Sequence, residues 1–408
     1  MDLLSKRSAF VYNPILEEDD DAAKLAKRGI NVMKLNRGDP AYYFPTPKYM
    51  IDAYVDALRA SKTYYSDSIG VRELREAVAG RYKRMYGVNA SPDNVIATAG
   101  ITEGLAFINS ALINSGDRAV IFKPYYVQYI TNLREYGGRP LFGIYNEGEG
   151  WSIHLDHIRG ELRKMKRAGR IGRVKYMIIT NPNNPTGTVL KRKVLEEVVD
   201  IANENGIVLI SDEIYDEIVY NGAKFTSVGQ VAKGVPHILL HGASKVFDAT
   251  GFRMGYMVFP EQDRKSMAIR DKIVDYARMR LSLNTPAEYA LAEGISNRKE
   301  HDKAIGGMVS NIAKRVNSVT DILKRNDAIS VVRPNGAFYV LPRLKMSGLR
   351  IKDDKEFIRR VLEEEHVQIT RGSGFGSPNH FRIVALAPEK ELADAVGRIE
   401  ALLTKYAK

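Results

Sequence analysis

The chain has 408 residues, 44% apolar and 27% charged, an ordinary globular balance with room for two domains. It contains no cysteine, which excludes disulfides, thiolate nucleophiles and cysteine-bound metals. The net charge of +12 suits anionic small molecules as well as nucleic acid, and no uninterrupted apolar run is long enough to span a membrane.

Residues 1–45 carry no strong period, and the acidic run from Glu17 to Asp21 reads as a solvated turn or helix start. The opening residues have no apolar stretch of the kind that marks a secretion signal, so the cytoplasm is the expected location. From about residue 94 a grammar repeats: a short β-branched apolar run ends in small or polar residues, and a helical pattern follows. The runs are Asn94–Ala99, Arg118–Phe122, Lys175–Thr180, Ile207–Ser211, His237–His241 and Gly255–Phe259, with amphipathic stretches such as Thr102–Asn114 and Lys191–Asn205 between them. This alternation predicts an α/β fold with a mostly parallel sheet flanked by helices. The densest basic stretch, Arg163 to Lys175, lacks interleaved aromatics and zinc-finger spacing. It reads as a solvated face, and no nucleic-acid partner is expected.

Beyond residue 262 the pattern changes. Arg264–Met279 and Arg298–Arg325 read as long charged helices. Ser330–Val332 and Ala337–Leu341 read as strands, Lys352–Glu365 as a helix, Val367–Thr370 and Phe381–Ala385 as strands, and Glu389–Tyr406 as a last helix. Residues 46–289 are therefore expected to form a large domain. Residues 1–45 and 290–408 together form a smaller α+β domain.

In such sheets ligands lie beyond the carboxyl ends of the strands. There the sequence has Gly100-Ile-Thr-Glu103, Asn181-Pro-Asn-Asn184-Pro-Thr-Gly187, Asp212-Glu-Ile-Tyr215, Gly242-Ala-Ser-Lys245 and Thr250-Gly-Phe-Arg253. Each alone has a plain structural reading, such as the helix cap for Asp212 or turn chemistry for the Asn-Pro run. Together they match what pyridoxal phosphate asks for. Its aldehyde needs a lysine amine, here Lys245. Its pyridine nitrogen needs a carboxylate, here Asp212. Its phosphate needs an arginine and backbone N–H groups at a helix start, here Arg253 and the Gly100–Thr102 turn. Its ring needs an aromatic face, here Tyr126.

In these motifs the chain resembles the class I aminotransferases of fold type I, and it does so over nearly its whole length. The resemblance implies that Lys245 carries pyridoxal 5'-phosphate, that Asp212 pairs with its pyridine nitrogen, and that Tyr215 and Asn184 bond the ring oxygen. It implies that Tyr126 stacks on the ring, and that Arg253, Ser244 and the amides of Ile101 and Thr102 beside Gly100 hold the phosphate. Tyr65, in Tyr65-Ser-Asp-Ser-Ile-Gly70, would reach the phosphate of a partner subunit, which requires a homodimer. Arg382 would clamp the substrate α-carboxylate, and the backbone of Gly38, in Leu35-Asn-Arg-Gly38-Asp-Pro, would close over the substrate.

The subgroup it is most similar to is the alanine aminotransferases of bacteria and archaea, on Tyr65–Gly70, Asp212–Asp216 and Met279–Ala287. Two departures stand out. Those proteins often have Tyr-x-x-Arg near the N-terminus, where the arginine can meet the second carboxylate of 2-oxoglutarate. Here Tyr12 is followed by Ile15 in that place. Arg371 stands where many relatives have proline, and reads as a surface residue or, alternatively, a replacement anion contact. The implied activity is transfer of an amino group from alanine or a similar amino acid to a 2-oxo acid, with 2-oxoglutarate favoured. Aspartate or broad-specificity aromatic transamination and β-elimination on the same fold are the alternatives. A nicotinamide enzyme lacks its glycine fingerprint here, and His154-Leu-Asp-His157 is too sparse for a metal hydrolase.

Overall fold

The computed structural model describes residues 3–408 except 12, 14, 16, 17 and 261–263. Its centre is a sheet of eight strands among the described residues. In chain order these are β1 (Val95–Thr98), β2 (Arg118–Lys123), β3 (Arg139–Asn146), β4 (Ser152–Ile153), β5 (Val174–Thr180), β6 (Val208–Asp212), β7 (His237–Gly242) and β8 (Gly255–Val258). Their spatial order is β1-β8-β7-β6-β5-β2-β3-β4. The pairs β7/β6, β6/β5, β5/β2 and β2/β3 are parallel, whereas β8 runs against both neighbours and β4 against β3.

The strands are apolar on both faces because helices cover both. On one face Ile121, Ile178, Ile210, Ile238 and Leu240 pack with Leu105, Ile108, Ile130, Leu133 and Ile273 from helices Gly100–Leu112, Val127–Glu135 and Arg264–Arg280. On the other, Val120, Met177, Ile179, Leu209 and Leu239 meet Leu74, Val78, Ile158, Leu162, Leu195 and Val198 from helices Arg72–Tyr86, Leu155–Arg167 and Arg192–Glu204. The side-chain period of two thus feeds two cores from one set of strands.

The remaining strands are short. Tyr339–Val340 and Thr370–Arg371 both pair antiparallel with Phe381–Val384. Met33–Lys34 runs parallel to Val367–Gln368, joining the first residues to the last part of the chain. The stretch expected as one strand over Val367–Thr370 is thus two short ones. A helix at Asp19–Lys27, with three aspartates in its first turn where a helix dipole favours them, occupies the acidic run; Glu17 lies outside the described residues. None of the described helices is long and apolar enough to cross a membrane.

Candidate active site

Strands β5, β6 and β7 end side by side, and the segment after each turns into one cavity of about 330 Å³. After β5, the run from Asn181 to Gly187 is a folded turn. Asn183 Oδ1 accepts from the Thr186 amide at 3.1 Å and its hydroxyl at 2.8 Å. Gly187 sits at φ +70°, and a Cβ there would lie 2.7 Å from both Pro334 and the Tyr339 carbonyl. The turn delivers Asn184 to the cavity wall.

After β6 comes Asp212, which is buried. Tyr129 O–H donates to its Oδ2 at 2.5 Å and the Ile214 amide to its Oδ1 at 3.3 Å. Burial pushes its carboxyl up to about 6, against the lowering effect of the Tyr129 hydroxyl. Tyr215, one turn on, shares a 2.8 Å hydrogen bond between hydroxyls with Tyr339.

After β7, Lys245 extends into the cavity and its Nζ donates to the Gly38 carbonyl at 2.6 Å. Burial lowers its amine to about 8; Asp39 opposes that shift, and Arg382 and Arg253 reinforce it. A fraction of the amine is therefore neutral and nucleophilic near neutral pH.

Arg253 adopts a left-handed backbone, φ 53°, and its Nη1 donates to the Thr250 carbonyl at 2.9 Å. Gly100 opens helix Gly100–Leu112 at φ +73°, where a Cβ would fall 2.8 Å from Arg253 Nη2. Only glycine allows the guanidinium to stand this close to the start of a helix, whose free N–H groups favour an anion. Ile101, Thr102, Ser244 and Arg253 line this end of the cavity. Tyr126, in the residue before helix Val127–Glu135, lines its side, and burial pushes its phenol up to about 12.

Arg382 projects from the strand Phe381–Val384 and is 1% exposed. Its Nη1 donates to Asn184 Oδ1 at 2.9 Å and its Nη2 to the Asn36 carbonyl at 2.6 Å, while Nε has no partner among the described residues. The rings of Tyr339 and Phe375 flank it at 4.7 and 4.6 Å. Burial lowers the pKa of this guanidinium.

The cavity thus gathers Gly38, Ile101, Thr102, Tyr126, Asn184, Asp212, Tyr215, Ser244, Lys245, Arg253 and Arg382, with Gly100 directly behind Arg253. Tyr65 is apart from them, 80% exposed between two helices. Ile15 lines the cavity beside Asn13, whereas Tyr12 lies outside the described residues. Arg371 is not a surface residue: it is 8% exposed, and its Nη1 meets Glu18 Oε1 at 3.2 Å. Glu18 directly precedes helix Asp19–Lys27, in a region where the weak period of the first residues concealed it.

Tyr129, Tyr339 and Asn36, which bond Asp212, Tyr215 and Arg382, were not expected from the sequence. Tyr129 stands one helical turn after Tyr126, a spacing that puts both on one face and could have flagged it. Tyr339 comes to Arg382 through antiparallel pairing, and Asn36 through a backbone carbonyl; neither leaves a local signal.

This arrangement fits pyridoxal 5'-phosphate on its own chemistry. A buried carboxylate suits a protonated ring nitrogen, a depressed lysine amine suits an aldehyde, and a glycine-opened helix start beside an arginine suits a phosphate. Comparison with known proteins agrees. Residues 30–399 match the family model of class I and II aminotransferases. The chain superposes on the structure of an alanine aminotransferase from Pyrococcus furiosus with a TM-score of 0.93, at 38% identity over 98% of this chain and 100% of that one. It is 32% identical over 403 residues to an aspartate aminotransferase from Thermotoga maritima (98% and 99% of the two chains), and 29% identical over 393 residues to a glutamate-pyruvate aminotransferase from Haemophilus influenzae (95% and 94%). The chain belongs to the class I and II aminotransferases, fold type I enzymes that work with pyridoxal 5'-phosphate.

Proposed function

We propose that this enzyme moves the amino group of L-alanine, or a similar small amino acid, to 2-oxoglutarate in two alternating half-reactions, as a cytoplasmic homodimer. The observation that carries the reading is the pairing of a buried amine with a buried guanidinium on one short segment. Lys245 Nζ bonds the carbonyl of residue 38 and Arg382 bonds that of residue 36. Two residues of chain span at most about 7 Å, so the two cationic groups are anchored a substrate's length apart. An α-amino acid between them can place its carboxylate on Arg382 with its Cα within reach of the amine.

Arg382 then holds the α-carboxylate in a two-point fork, which a lysine could not supply. Asn184, already bonded to Arg382, orients it. Lys245 holds the cofactor and, once free, takes the proton from the substrate Cα and returns it elsewhere, a task suited to an amine lowered to about 8. When bound, pyridoxal phosphate supplies an electron sink for the charge left at Cα. With it bound, Asp212 would keep the ring nitrogen protonated, Tyr215 and Asn184 would bond the ring oxygen, and Tyr126 would cover the ring face. Arg253, Ser244 and the amides of Ile101 and Thr102, beside Gly100, hold the phosphate. Gly38 closes over the substrate. Tyr65, exposed and next to the exposed Tyr64, completes the phosphate site of a second subunit. Residues 46–289 act as the cofactor-binding body, with 1–45 and 290–408 as the smaller part.

The preference for alanine rests on two observations. Apolar Ile15 lines the cavity, and relatives named alanine and glutamate-pyruvate aminotransferase match along almost the whole chain. The test incubates the holoenzyme with 2-oxoglutarate and a panel of amino acids and measures glutamate. Alanine should give the fastest release with matching pyruvate. Faster turnover of aspartate overturns the donor assignment, and keto acid released without consumption of 2-oxoglutarate overturns transamination in favour of elimination.

A further inference from the structure

Helices Lys48–Arg59 and Arg72–Tyr86 are joined by a stretch without helix or strand that carries Tyr65. Tyr64 and Tyr65 stand out from it, 57% and 80% exposed. The chain around them is tied down almost residue by residue. Thr285 Oγ1 donates to the Tyr64 carbonyl at 2.9 Å. Arg75 donates through Nη2 to Asp67 Oδ2 at 3.4 Å and through Nε to the Gly70 carbonyl at 2.9 Å. Arg280 Nη2 donates to the Ser68 carbonyl, and the Ala97 amide donates to that of Ile69 at 2.9 Å.

Glu288 closes this set. It lies in the first turn of helix Thr285–Ser296 and is fully buried. Its Oε2 accepts from the Ser66 hydroxyl at 2.6 Å and its Oε1 from the Val71 amide at 3.3 Å, so the two oxygens grip the two ends of the turn. Gly70, at φ +104°, brings the backbone so close that a Cβ there would lie 3.0 Å from Oε1. Burial pushes the carboxyl up to about 7; Ser66, Val71 and the nearby Arg280 oppose that rise, and Asp67 adds to it. A buried carboxyl is costly, and an apolar side chain would fill the space without that cost. What Glu288 supplies instead is a fixed bond to the residue next to Tyr65. No step of the proposed function uses this carboxyl.

We propose that Glu288 is a positioning residue for the cofactor's phosphate: by gripping Ser66 and Val71 it holds Tyr65 outward, where its hydroxyl can enter the site of a second subunit. A tyrosine on a loose loop would lose backbone freedom on entering that site. Here that loss is met when the chain folds, so more of the strength of a hydroxyl–phosphate bond shows as affinity. The inference rests on the reading that Tyr65 bonds a partner's phosphate.

The experiment measures the Kd of pyridoxal phosphate and of pyridoxal, which lacks the phosphate, for the full chain freed of cofactor. Tyr65→Phe should weaken pyridoxal phosphate about 10-fold and pyridoxal less than about twofold, as expected for the loss of one bond to a charged group. Glu288→Ala should show the same selectivity at about fivefold. Combined with Tyr65→Phe it should cost no more than Tyr65→Phe alone, because both act through one contact. Glu288→Gln should stay within about twofold of the native protein, since its amide can donate to Ser66 and accept from Val71. Ser66→Ala removes the grip with little change of volume and should weaken pyridoxal phosphate selectively by about threefold, which serves if Glu288→Ala fails to fold. Equal weakening of both ligands, losses that multiply in the double variant, or a glutamine variant as weak as the alanine one overturns the assignment. Native affinity in Tyr65→Phe sinks the Tyr65 reading itself. A weakened Tyr65→Phe beside unaltered Glu288→Ala and Ser66→Ala sinks the role of Glu288 alone.

Discussion

Two buried arginines in this molecule have opposite surroundings. Arg81, fully buried on helix Arg72–Tyr86, meets Asp216 Oδ2 at 2.7 Å and Glu217 Oε1 at 2.8 Å. Asp216 also accepts from Tyr86 at 2.6 Å and lies 2.9 Å from His241, while Glu217 reaches His301 at 3.0 Å and Arg298 at 3.3 Å. Burial would lower the Arg81 pKa, yet Asp216 and its neighbours lift it well above the ordinary value. Arg382, equally buried, has an amide oxygen, a backbone carbonyl and two aromatic faces. Asp212 and Lys245 are like it, with bonds only to neutral groups among the described residues. One region has internal counter-charges. In the other, charges are buried against neutral partners, and in the proposed function their counter-charges arrive with the ligand. Burial of an unmatched charge is costly, so its persistence in one cavity marks a site rather than a framework.

The sharpest test of that contrast is Lys245→Ala. Borohydride treatment should add the mass of the cofactor to the native protein and not to the variant, and transamination should vanish. A variant that still turns over without added amine would break the assignment.

Next come the two arginines, compared directly. If Arg382 holds the substrate carboxylate as proposed, Arg382→Ala should lower kcat/KM for alanine by roughly 10²–10³-fold, with far less effect on cofactor affinity. Arg382→Lys should recover little, lacking the fork. Arg81→Met should instead cost about 3–5 kcal/mol of stability in a denaturant titration, since it strands Asp216 and Glu217. It should leave KM nearly unaltered. The Asp216 and Glu217 carboxyls are held below their ordinary values, burial notwithstanding, by Arg81 and the neighbouring histidines. Their contribution is therefore present above the unfolded carboxylate range and lost as pH falls below it. Native protein should lose stability on acidification more steeply than Arg81→Met. If the two arginine variants behave alike in both assays, the contrast fails.

The same division decides how much was legible in the sequence. Parallel strands buried on both faces write themselves as apolar runs, and residues after each run line the cavity, so Asn184, Asp212, Lys245 and Arg253 could be picked out one strand at a time. Strand β3 could not: Pro140 and Gly143 interrupt it, and Gly143 is needed because the Phe122 ring packs against its backbone. The Arg81 cluster draws on residues 81, 216, 217, 241, 298 and 301, which no local pattern unites. The burial of Arg371 was hidden for a related reason: its partner Glu18 is 353 positions away. Arg382 was identified only through a family motif, since its setting depends on Asn36, Asn184, Tyr339 and Phe375, four separate segments.

The smallest expected effect concerns Tyr129, which tunes the negative member of the unmatched set. Its phenol donates to Asp212 at 2.5 Å and also lies 2.8 Å from the Thr180 hydroxyl. Burial carries the Asp212 carboxyl to about 6, and the phenol restrains that rise. A protonated ring nitrogen pairs with the ionised carboxylate, so the affinity of the apoenzyme for pyridoxal phosphate should fall as pH drops through about 6. In Tyr129→Phe the restraint is gone, the carboxyl rises further, and the fall should begin at higher pH. Removing one such bond is worth about 1 kcal/mol, so the loss of affinity should be under about twofold near neutral pH and approach roughly fivefold below about pH 6. The deficit should shrink in alkaline buffer, where both carboxyls are ionised. Superimposable pH profiles for the two proteins would mean that Tyr129 only packs against Asp212, and that burial alone sets its charge.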